Sequence, residues 1–383
     1  MNVTILSKLD VSVNKVNRFI STSVSLKKTY KEYEKVFHSI TLVTKKDILD
    51  VSRVLSESTF PDLTYRKAKS FDAFVIYLEK IFSHRKILLG DKKITQETIK
   101  KIRVNLQKVY EKKQRLVFTL LGYPYKMPNP LYTNSTSVDL AEIISIYKLY
   151  RLMSKLNEVY PYGVKLIILT ENSIFNTMSD ISNEDQIKYF HDLCRWKDHI
   201  DDNGFIEIKD IKDYHTVELE KKWRELEKEM KKRYWENDPL IKDKVEAVMP
   251  TDFMTLNYRK FKPEFLIRYF NPECKDMHIE SLRRKNYERA LKESFYYLSY
   301  HQARYELGFM DSVFPNTFRL TVAPKVGSFA INMLNEKSKL LPYYGYIVKK
   351  GRDFKMEYIV DVPKKAKSIY WEGNLEYPFY YEI

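Results

Sequence analysis

Five charged side chains in this sequence stand where an active site could be built: Lys126, Asp139, Glu142, Glu171 and Arg319. Asp139 and Glu142 are three residues apart, so on a helix their carboxylates share a face. They either serve a ligand site or only cap that helix and complement its dipole. Lys126 and Glu171 each fall just beyond an apolar run that reads as a strand, and ligands of open parallel sheets bind outside the carboxyl ends of the strands. Arg319 sits in a strand-like segment between apolar neighbours, where a guanidinium is costly to bury unless it is paired. It therefore has either a structural carboxylate partner or an anionic ligand.

The elements that must position these groups can be read around them. Val117-Phe118-Thr119-Leu120-Leu121 predicts a buried strand, ended by Gly122 and Pro124. Thr136-Ser137-Val138-Asp139 has the form of a capping box, with an acid three residues after a hydroxyl. From Leu140 to Val159 apolar residues run nearly all round, which predicts a largely buried helix closed by Tyr160-Pro161-Tyr162-Gly163. Val164-Lys165-Leu166-Ile167-Ile168-Leu169 predicts a second strand, with Thr170, Glu171 and Asn172 at its carboxyl end. A strand, a crossover of roughly 40 residues and another strand make a βαβ unit, parallel and right-handed.

Around this unit the chain alternates helical and strand periodicities. In residues 1–115 the spacing is mostly helical: Val36, Ile40 and Val43 make a short stripe, Phe71, Phe74, Val75, Leu78, Ile81 and Phe82 a strong one, and Thr95-Gln96-Glu97 opens a helix toward Lys112. Asn183 starts a helix through Trp196; its His191 and Cys194, with His199 beyond, are mixed ligands without a fourth cluster, which does not make a zinc site. Ile206-Glu207-Ile208 predicts a short strand, and Val217–Tyr234 an amphipathic exterior helix whose apolar stripe packs inward, a lid or an oligomer contact being the other uses open to it. The aromatic-rich segment from Asp252 to Pro272 reads as irregular, and Arg284–Leu307 as a long helix with Arg304 near its end. From Phe314 the period falls to two, with strands expected at Phe318–Ala323, Phe329–Leu334, Tyr344–Val348 and Met356–Val360. The fold class that follows is α/β: a Rossmann-like central sheet, a helical N-terminal region and an antiparallel C-terminal extension.

Composition narrows the function classes. A hydrophobic fraction of 44% and 31% charged residues describe an ordinary globular chain, and 383 residues permit one large domain or two to three smaller ones. Two cysteines, Cys194 and Cys274, cannot make a disulfide framework, no signal-peptide pattern opens the chain and no apolar run approaches 18 residues. A soluble cytoplasmic protein, not associated with a membrane, is expected. The net charge of +15 raises nucleic acid, an anionic surface or small anionic substrates. The cations lie in short clusters with acids interleaved, which favours solvated lysine-rich faces and disfavours nucleic acid. No glycine-rich phosphate loop, Gly-x-Ser-x-Gly or Cys-x-x-Cys occurs, so a nicotinamide enzyme is disfavoured as well.

The order Tyr123-Pro124-Tyr125-Lys126-x-Pro128-Asn129, then Asp139-x-Ala141-Glu142, then Tyr160-x-x-Gly163 before an apolar strand resembles the isocyanide (isonitrile) synthase family, also called the pyoverdine/dityrosine biosynthesis family. Phe314-Pro315-x-x-Phe318-Arg319-Leu320-Thr321 and Leu341-Pro342-Tyr343-Tyr344-Gly345 sit where that family carries its other signatures. The resemblance covers roughly residues 105–383 and divides the chain into a helical N-terminal region, 1–104, and an isonitrile-synthase-like α/β domain, 105–383. It implies an enzyme that converts an aromatic amino acid to an isonitrile in secondary metabolism, keeping the amino nitrogen and taking the isonitrile carbon from C2 of ribulose 5-phosphate. It implies no metal and no redox cofactor, only the amino acid and the phosphosugar as partners, with a homo-oligomer left open.

By matched position, the resemblance implies that Lys126 and Arg319 bind phosphate or carboxylate and that Asp139 and Glu142 orient an ammonium or sugar hydroxyls. Asn129 would support its loop, Glu171 would be the carboxylate at the strand tip, and Thr170, Asn172, Thr321 and Lys325 would complete the substrate site. The chain departs from the family at three places. Thr170-Glu171-Asn172 stands where Ser-Asp-Gly is usual, Ala323 where a histidine follows the Arg-Leu-Thr strand, and Tyr344 where Thr-Pro-Trp-His ends in a second histidine. Losing both histidines, the usual proton shuttles near neutral pH, implies altered chemistry, an altered substrate or lost activity, with Tyr344 the candidate to take over proton donation. The expectation is thus an isonitrile synthase-like, metal-independent transferase or lyase. The alternatives are a same-fold enzyme acting on a different amine or phosphosugar, and a basic non-catalytic nucleic-acid-binding protein.

Overall fold

The apolar runs on either side of the long buried helix do pair, and they set the register of the central sheet. This is seen in a computed structural model that describes residues 16, 41–62, 67–88, 96–126, 128, 129, 132–171, 174, 181–254, 261–322, 326–335, 337, 338 and 340–383. In chain order the elements are β1 (Thr41–Val43), α1 (Lys45–Thr59), α2 (Phe71–Phe82), α3 (Gln96–Glu111), β2 (Leu116–Leu121), α4 (Leu140–Val159), β3 (Val164–Thr170), α5 (Asn183–Ile200) and β4 (Ile206–Asp210). Four helices follow, α6 (Val217–Trp235), α7 (Pro239–Met254), α8 (Pro263–Phe270) and α9 (Met277–Glu306), then a short α10 (Phe309–Val313). Six strands close the chain: β5 (Phe318–Thr321), β6 (Ser328–Ala330), β7 (Tyr346–Lys350), β8 (Asp353–Glu357), β9 (Lys367–Trp371) and β10 (Tyr380–Glu382).

The central sheet has the order β4-β3-β2-β5-β6, and every pairing in it is parallel. The chain builds outward from β2 to β3 and β4, then crosses back to place β5 on the other side of β2. Between β2 and β5 lies the topological switch point, where such sheets open a ligand crevice at the strands' carboxyl ends. One face carries Phe118, Phe318 and Phe329; Phe82 of α2 stacks on Phe329 at 4.2 Å between ring centroids. The opposite face alternates with it and holds Arg319, paired in register with Thr119 and Ser328.

The C-terminal strands form a second sheet of order β1-β9-β10-β7-β8. Its β7/β8 and β9/β10 pairs are antiparallel, while β10/β7 and β1/β9 are parallel. Gly345 leads into β7 where a Cβ would meet the Glu357 carbonyl oxygen at 2.3 Å, so only glycine lets the two strands close. The long helix α9 divides its packing: Tyr300 and Ala303 join the main core, while Tyr287, Leu291 and Phe295 join a second core with Met230, Val245, Phe253 and Tyr269.

Several expectations are corrected. The strands expected at 318–323 and 329–334 are shorter, and both extend the central sheet in parallel; the antiparallel pairs belong to the second sheet. Alternation with period two fixes which face a residue takes but not the direction of its neighbour, which is why strand direction was out of reach. Beyond Ala330 the chain turns through Asn332, whose amide donates to the Ile87 carbonyl and whose side chain accepts from Leu334 N at 2.9 Å. The strand expected at 356–360 is Asp353–Glu357, followed by a 3-10 turn at Ile359–Asp361. Val43 belongs to a strand, not a helical stripe, whereas Val36 and Ile40 lie outside the described residues. The segment read as irregular from Asp252 contains the end of α7 and the whole of α8, whose Pro263 begins the helix. The stripe Leu219, Trp223, Leu226, Met230 and Tyr234 is buried, as plain packing requires. The division at residue 104 falls inside α3. Among the described residues no helix is long and apolar enough to cross a membrane.

Candidate active site

The first cluster of charge assembles because a buried strand end and a buried helix start face each other. Lys126, past β2, is wholly buried, and its ammonium is held by Asp139 and by Glu142 Oε2, the latter at 3.0 Å. Asp139 is also the N-cap of α4: its Oδ1 accepts from Ala141 N at 2.8 Å, and Glu142 Oε2 accepts from Asp139 N at 3.1 Å. Of the two uses left open for this pair, capping is seen, and the same two carboxylates also hold Lys126. The cap falls three residues later than the box expected at Thr136. The hydroxyls of Thr133 and Ser135 take the amides of Ser135 and Ser137, two residues on, and these local turns compete with helix. Tyr189 donates to Glu142 Oε1 at 3.3 Å, and the Tyr346 ring of β7 covers the Lys126 ammonium at 5.6 Å. Burial, reinforced by Glu142 and opposed by Lys126, drives the Asp139 pKa well above the usual carboxylate range. Asn129 is buried and closes its loop by a bridge to Thr133.

The second cluster lies at the carboxyl ends of β3 and β5. Glu171 Oε1 is 2.7 Å from Arg304 Nη1 and 3.9 Å from His301 Nε2, both on α9, and Arg304 Nη2 is 2.7 Å from His301 Nδ1. His301 and Arg304 can act jointly on one carboxylate because residues three apart share a helix face. The Arg304 guanidinium also lies over the Tyr300 ring at 4.5 Å, and the Tyr297 and His301 rings meet at 4.3 Å. Arg319 is half-buried within electrostatic reach of Arg304, Glu171 and Asp311, yet among the described residues it forms no hydrogen bond and no ion pair. Burial first, then the Arg304 charge, lower its pKa, with Asp311 and Glu171 acting the other way. Among the described residues the Arg319 guanidinium is a cation without a paired anion.

Tyrosines join the two clusters. Tyr343 is buried with its phenol under the influence of Glu171, Tyr123 and Tyr297, and burial pushes its pKa well up. Tyr123 faces Tyr343 at 6.4 Å between ring centroids and shares a 2.6 Å hydrogen bond with Ser145 of α4. Tyr344 packs its ring against Tyr343 and Tyr132.

Of the residues singled out in the sequence, Lys126, Asp139 and Glu142 come together, and Glu171 lies within electrostatic reach of Arg319. Thr170 and Thr321 are buried beside them at the ends of β3 and β5; Asn172 and Lys325 lie outside the described residues. Lys126 was expected to bind an anionic ligand, but two carboxylates take up its charge. Glu171, expected as the carboxylate at the strand tip, is there and is paired with Arg304. Sequence reading missed His301, Arg304 and Tyr343 as site residues. The one available signal was the set Tyr297, Tyr300, His301 and Arg304, which lies on a single helix stripe.

With this geometry established, comparison with known proteins is direct. The profile of the pyoverdine/dityrosine biosynthesis protein family matches residues 106–368. L-tryptophan isonitrile synthase AmbI2 of Fischerella ambigua is 20% identical over 300 residues, covering 72% of this chain and 82% of that protein. AmbI1 of the same organism, also an L-tryptophan isonitrile synthase, is 24% identical over 122 residues, 31% of this chain and 38% of its own. The crystal structure of PvcA from Pseudomonas aeruginosa has the same fold, with a TM-score of 0.59 at 16% identity over 82% of this chain and all of the other. The match along most of the chain, with both charged clusters inside it, places this protein in the pyoverdine/dityrosine biosynthesis family.

Proposed function

We propose that the protein is an isonitrile synthase-like enzyme that condenses the amine of an aromatic amino acid with ribulose 5-phosphate. One observation carries the reading: Arg319 is half-buried at the switch-point crevice and, among the described residues, has no anionic partner. A desolvated guanidinium in that state is suited to a bound carboxylate or phosphate, and both substrates of this reaction bring one. Family membership and the similarity to two L-tryptophan isonitrile synthases support the same reaction class. The chemistry needs the ammonium deprotonated before it attacks the ketone, and donors to the oxygen that becomes negative. Glu171 and His301 stand at the end of β3 with Arg304, and Tyr343 is within electrostatic reach of Glu171. The Lys126 cluster fixes the loop after β2 to the start of α4 and so sets the opposite wall.

Incubation with each aromatic amino acid and ribulose 5-phosphate, followed by mass detection, is expected to give a product that retains the amine nitrogen. Consumption of neither substrate across the panel would sink the proposal. The family histidines replaced by Ala323 and Tyr344 favour a second reading, a different amine or phosphosugar on the same fold. Untargeted metabolite comparison of expressing and non-expressing cells separates the two, because a new product without an isonitrile selects the second.

A further inference from the structure

We propose that His215 is a positioning residue for the crevice. It accepts a hydrogen bond from the Tyr300 phenol and so fixes the ring on which Arg304 lies, which keeps Arg304 on Glu171 and leaves Arg319 to the anionic substrate. The proposal rests on the crevice being the active site. His215 lies outside every motif through which the chain resembles its family.

His215 follows the 3-10 turn Ile211–Tyr214 beyond β4 and directly precedes Thr216, the N-cap of α6. Its Nε2 lies 3.0 Å from the Tyr300 phenol oxygen on α9. Tyr300 is wholly buried, and burial raises its pKa against the opposing Arg304 charge. The phenol therefore stays protonated, and a buried hydroxyl needs an acceptor for its hydrogen. Arg304, whose guanidinium lies over the same ring, can only donate. His215 Nε2 is thus the acceptor, which puts the imidazole's own proton on Nδ1. The Tyr300 ring, pinned at its oxygen, carries the Arg304 guanidinium 4.5 Å from its centroid, and Arg304 Nη1 meets Glu171 Oε1 at 2.7 Å. Attraction of a cation to a ring depends on its lying over the face, so the bond that fixes the ring's tilt also fixes the guanidinium. Once that bond is lost, Arg304 slips from Glu171, and Glu171 turns its charge to Arg319, the other cation within its reach. A substrate anion must then compete with Glu171 for Arg319.

Protonation of His215 has the same effect. The imidazolium has no lone pair to offer the phenol, and it adds a positive charge beside Arg304. Among the described residues the titratable groups that face His215 are Asp210 at the end of β4, Lys212 on the turn, Glu220 on α6 and Arg304 on α9. The rings of Trp223, Tyr300 and Phe309 complete its surroundings. Burial, helped by Arg304 and Lys212 and opposed by Glu220 and Asp210, lowers its pKa. The ring is therefore neutral at neutral pH and takes up its second proton below the ordinary histidine value of 6.5.

The test uses the full-length chain labelled with nitrogen-15. Wild type is expected to show His215 as the Nδ1–H tautomer at neutral pH and the buried Arg304 Nε–H as a slowly exchanging signal. His215→Leu and Tyr300→Phe should each speed that exchange about tenfold and weaken binding of inorganic sulfate roughly five- to tenfold, the range that one neutral hydrogen bond controls. His215→Gln, whose amide oxygen can still accept, should stay within about twofold of wild type in both. The double variant His215→Leu with Tyr300→Phe should be no worse than either single one, because both remove the same bond. Sulfate keeps its charge as the pH falls, so a loss of affinity on the acid side that wild type shows and His215→Gln lacks reports the histidine. A proton on Nε2, an Arg304 signal unchanged in His215→Leu, or the same acid-side loss in His215→Gln would each overturn the proposal. Should sulfate fail to bind wild type, the functional reading fails separately, and the tautomer and the Arg304 exchange still decide the role of His215.

Discussion

Arg319 and Lys126 are cations on neighbouring segments that answer to different demands. Lys126 is matched by two buried carboxylates, so its removal strands them; Arg319 is matched by none among the described residues, so its removal relieves the fold of a desolvated charge. Arg319→Gln should therefore leave thermal stability unchanged or slightly higher while weakening phosphate binding by about 1.5–3 kcal/mol, the worth of a hydrogen bond to a charged group. Calorimetry and a melting curve on one sample check both halves. A large loss of stability with binding intact would make Arg319 a structural residue. How far the site could be read from sequence also turns on single residues. Lys126, Asp139, Glu142, Glu171 and Arg319 stood out because charge next to an apolar strand is conspicuous. His301 and Arg304 did not, because on a helix rich in polar residues nothing local says which stripe faces a strand end that lies far away in sequence.

At the scale of the element, the start of α4 does two jobs with one pair of side chains. Asp139 caps the helix and, held in the ion cluster, binds its proton more tightly folded than unfolded. Its contribution to stability is thus complete below its ordinary value of 3.8 and is lost as pH rises toward the elevated folded value. Asparagine caps a helix about as well as aspartate. In Asp139→Asn the decline in stability as pH rises above the ordinary carboxylate range should flatten, measured as urea midpoints across a pH series. An unchanged slope would show that Asp139 does not titrate in the way its burial demands. The βαβ unit itself was legible because its strands are short apolar runs and its helix is apolar nearly all round. Strands β9 and β10 were not, since five and three residues flanked by charge and proline carry too little periodicity to register.

For the molecule as a whole, the N-terminal segment is part of the main core and not an appendage to it. Ile48, Leu55, Phe74 and Phe82 are buried in the same cluster as Phe118 and Leu166, and β1 pairs with β9. Removing those four side chains takes away packing worth about 1.5–3 kcal/mol each, a total comparable with the roughly 5–15 kcal/mol that holds a domain folded. The fragment 105–383 should therefore lack a cooperative urea transition and near-ultraviolet dichroism. A sharp transition in that fragment would instead mark residues 1–104 as dispensable to the fold.

The placing of β10 bears on how the molecule is made. It is the last strand in the sequence and the central one of its sheet, with β9 on one side and β7 on the other. During synthesis at about 5–20 residues per second, β7 and β9 emerge seconds ahead of the strand that separates them. Each meanwhile presents a bare edge on the nascent chain, the condition in which strands pair with the wrong partner. The lysines on those two strands, Lys349 and Lys350 on β7 and Lys367 at the start of β9, are the kind of charge that keeps an open edge from recruiting a neighbour before translation delivers the strand that closes it.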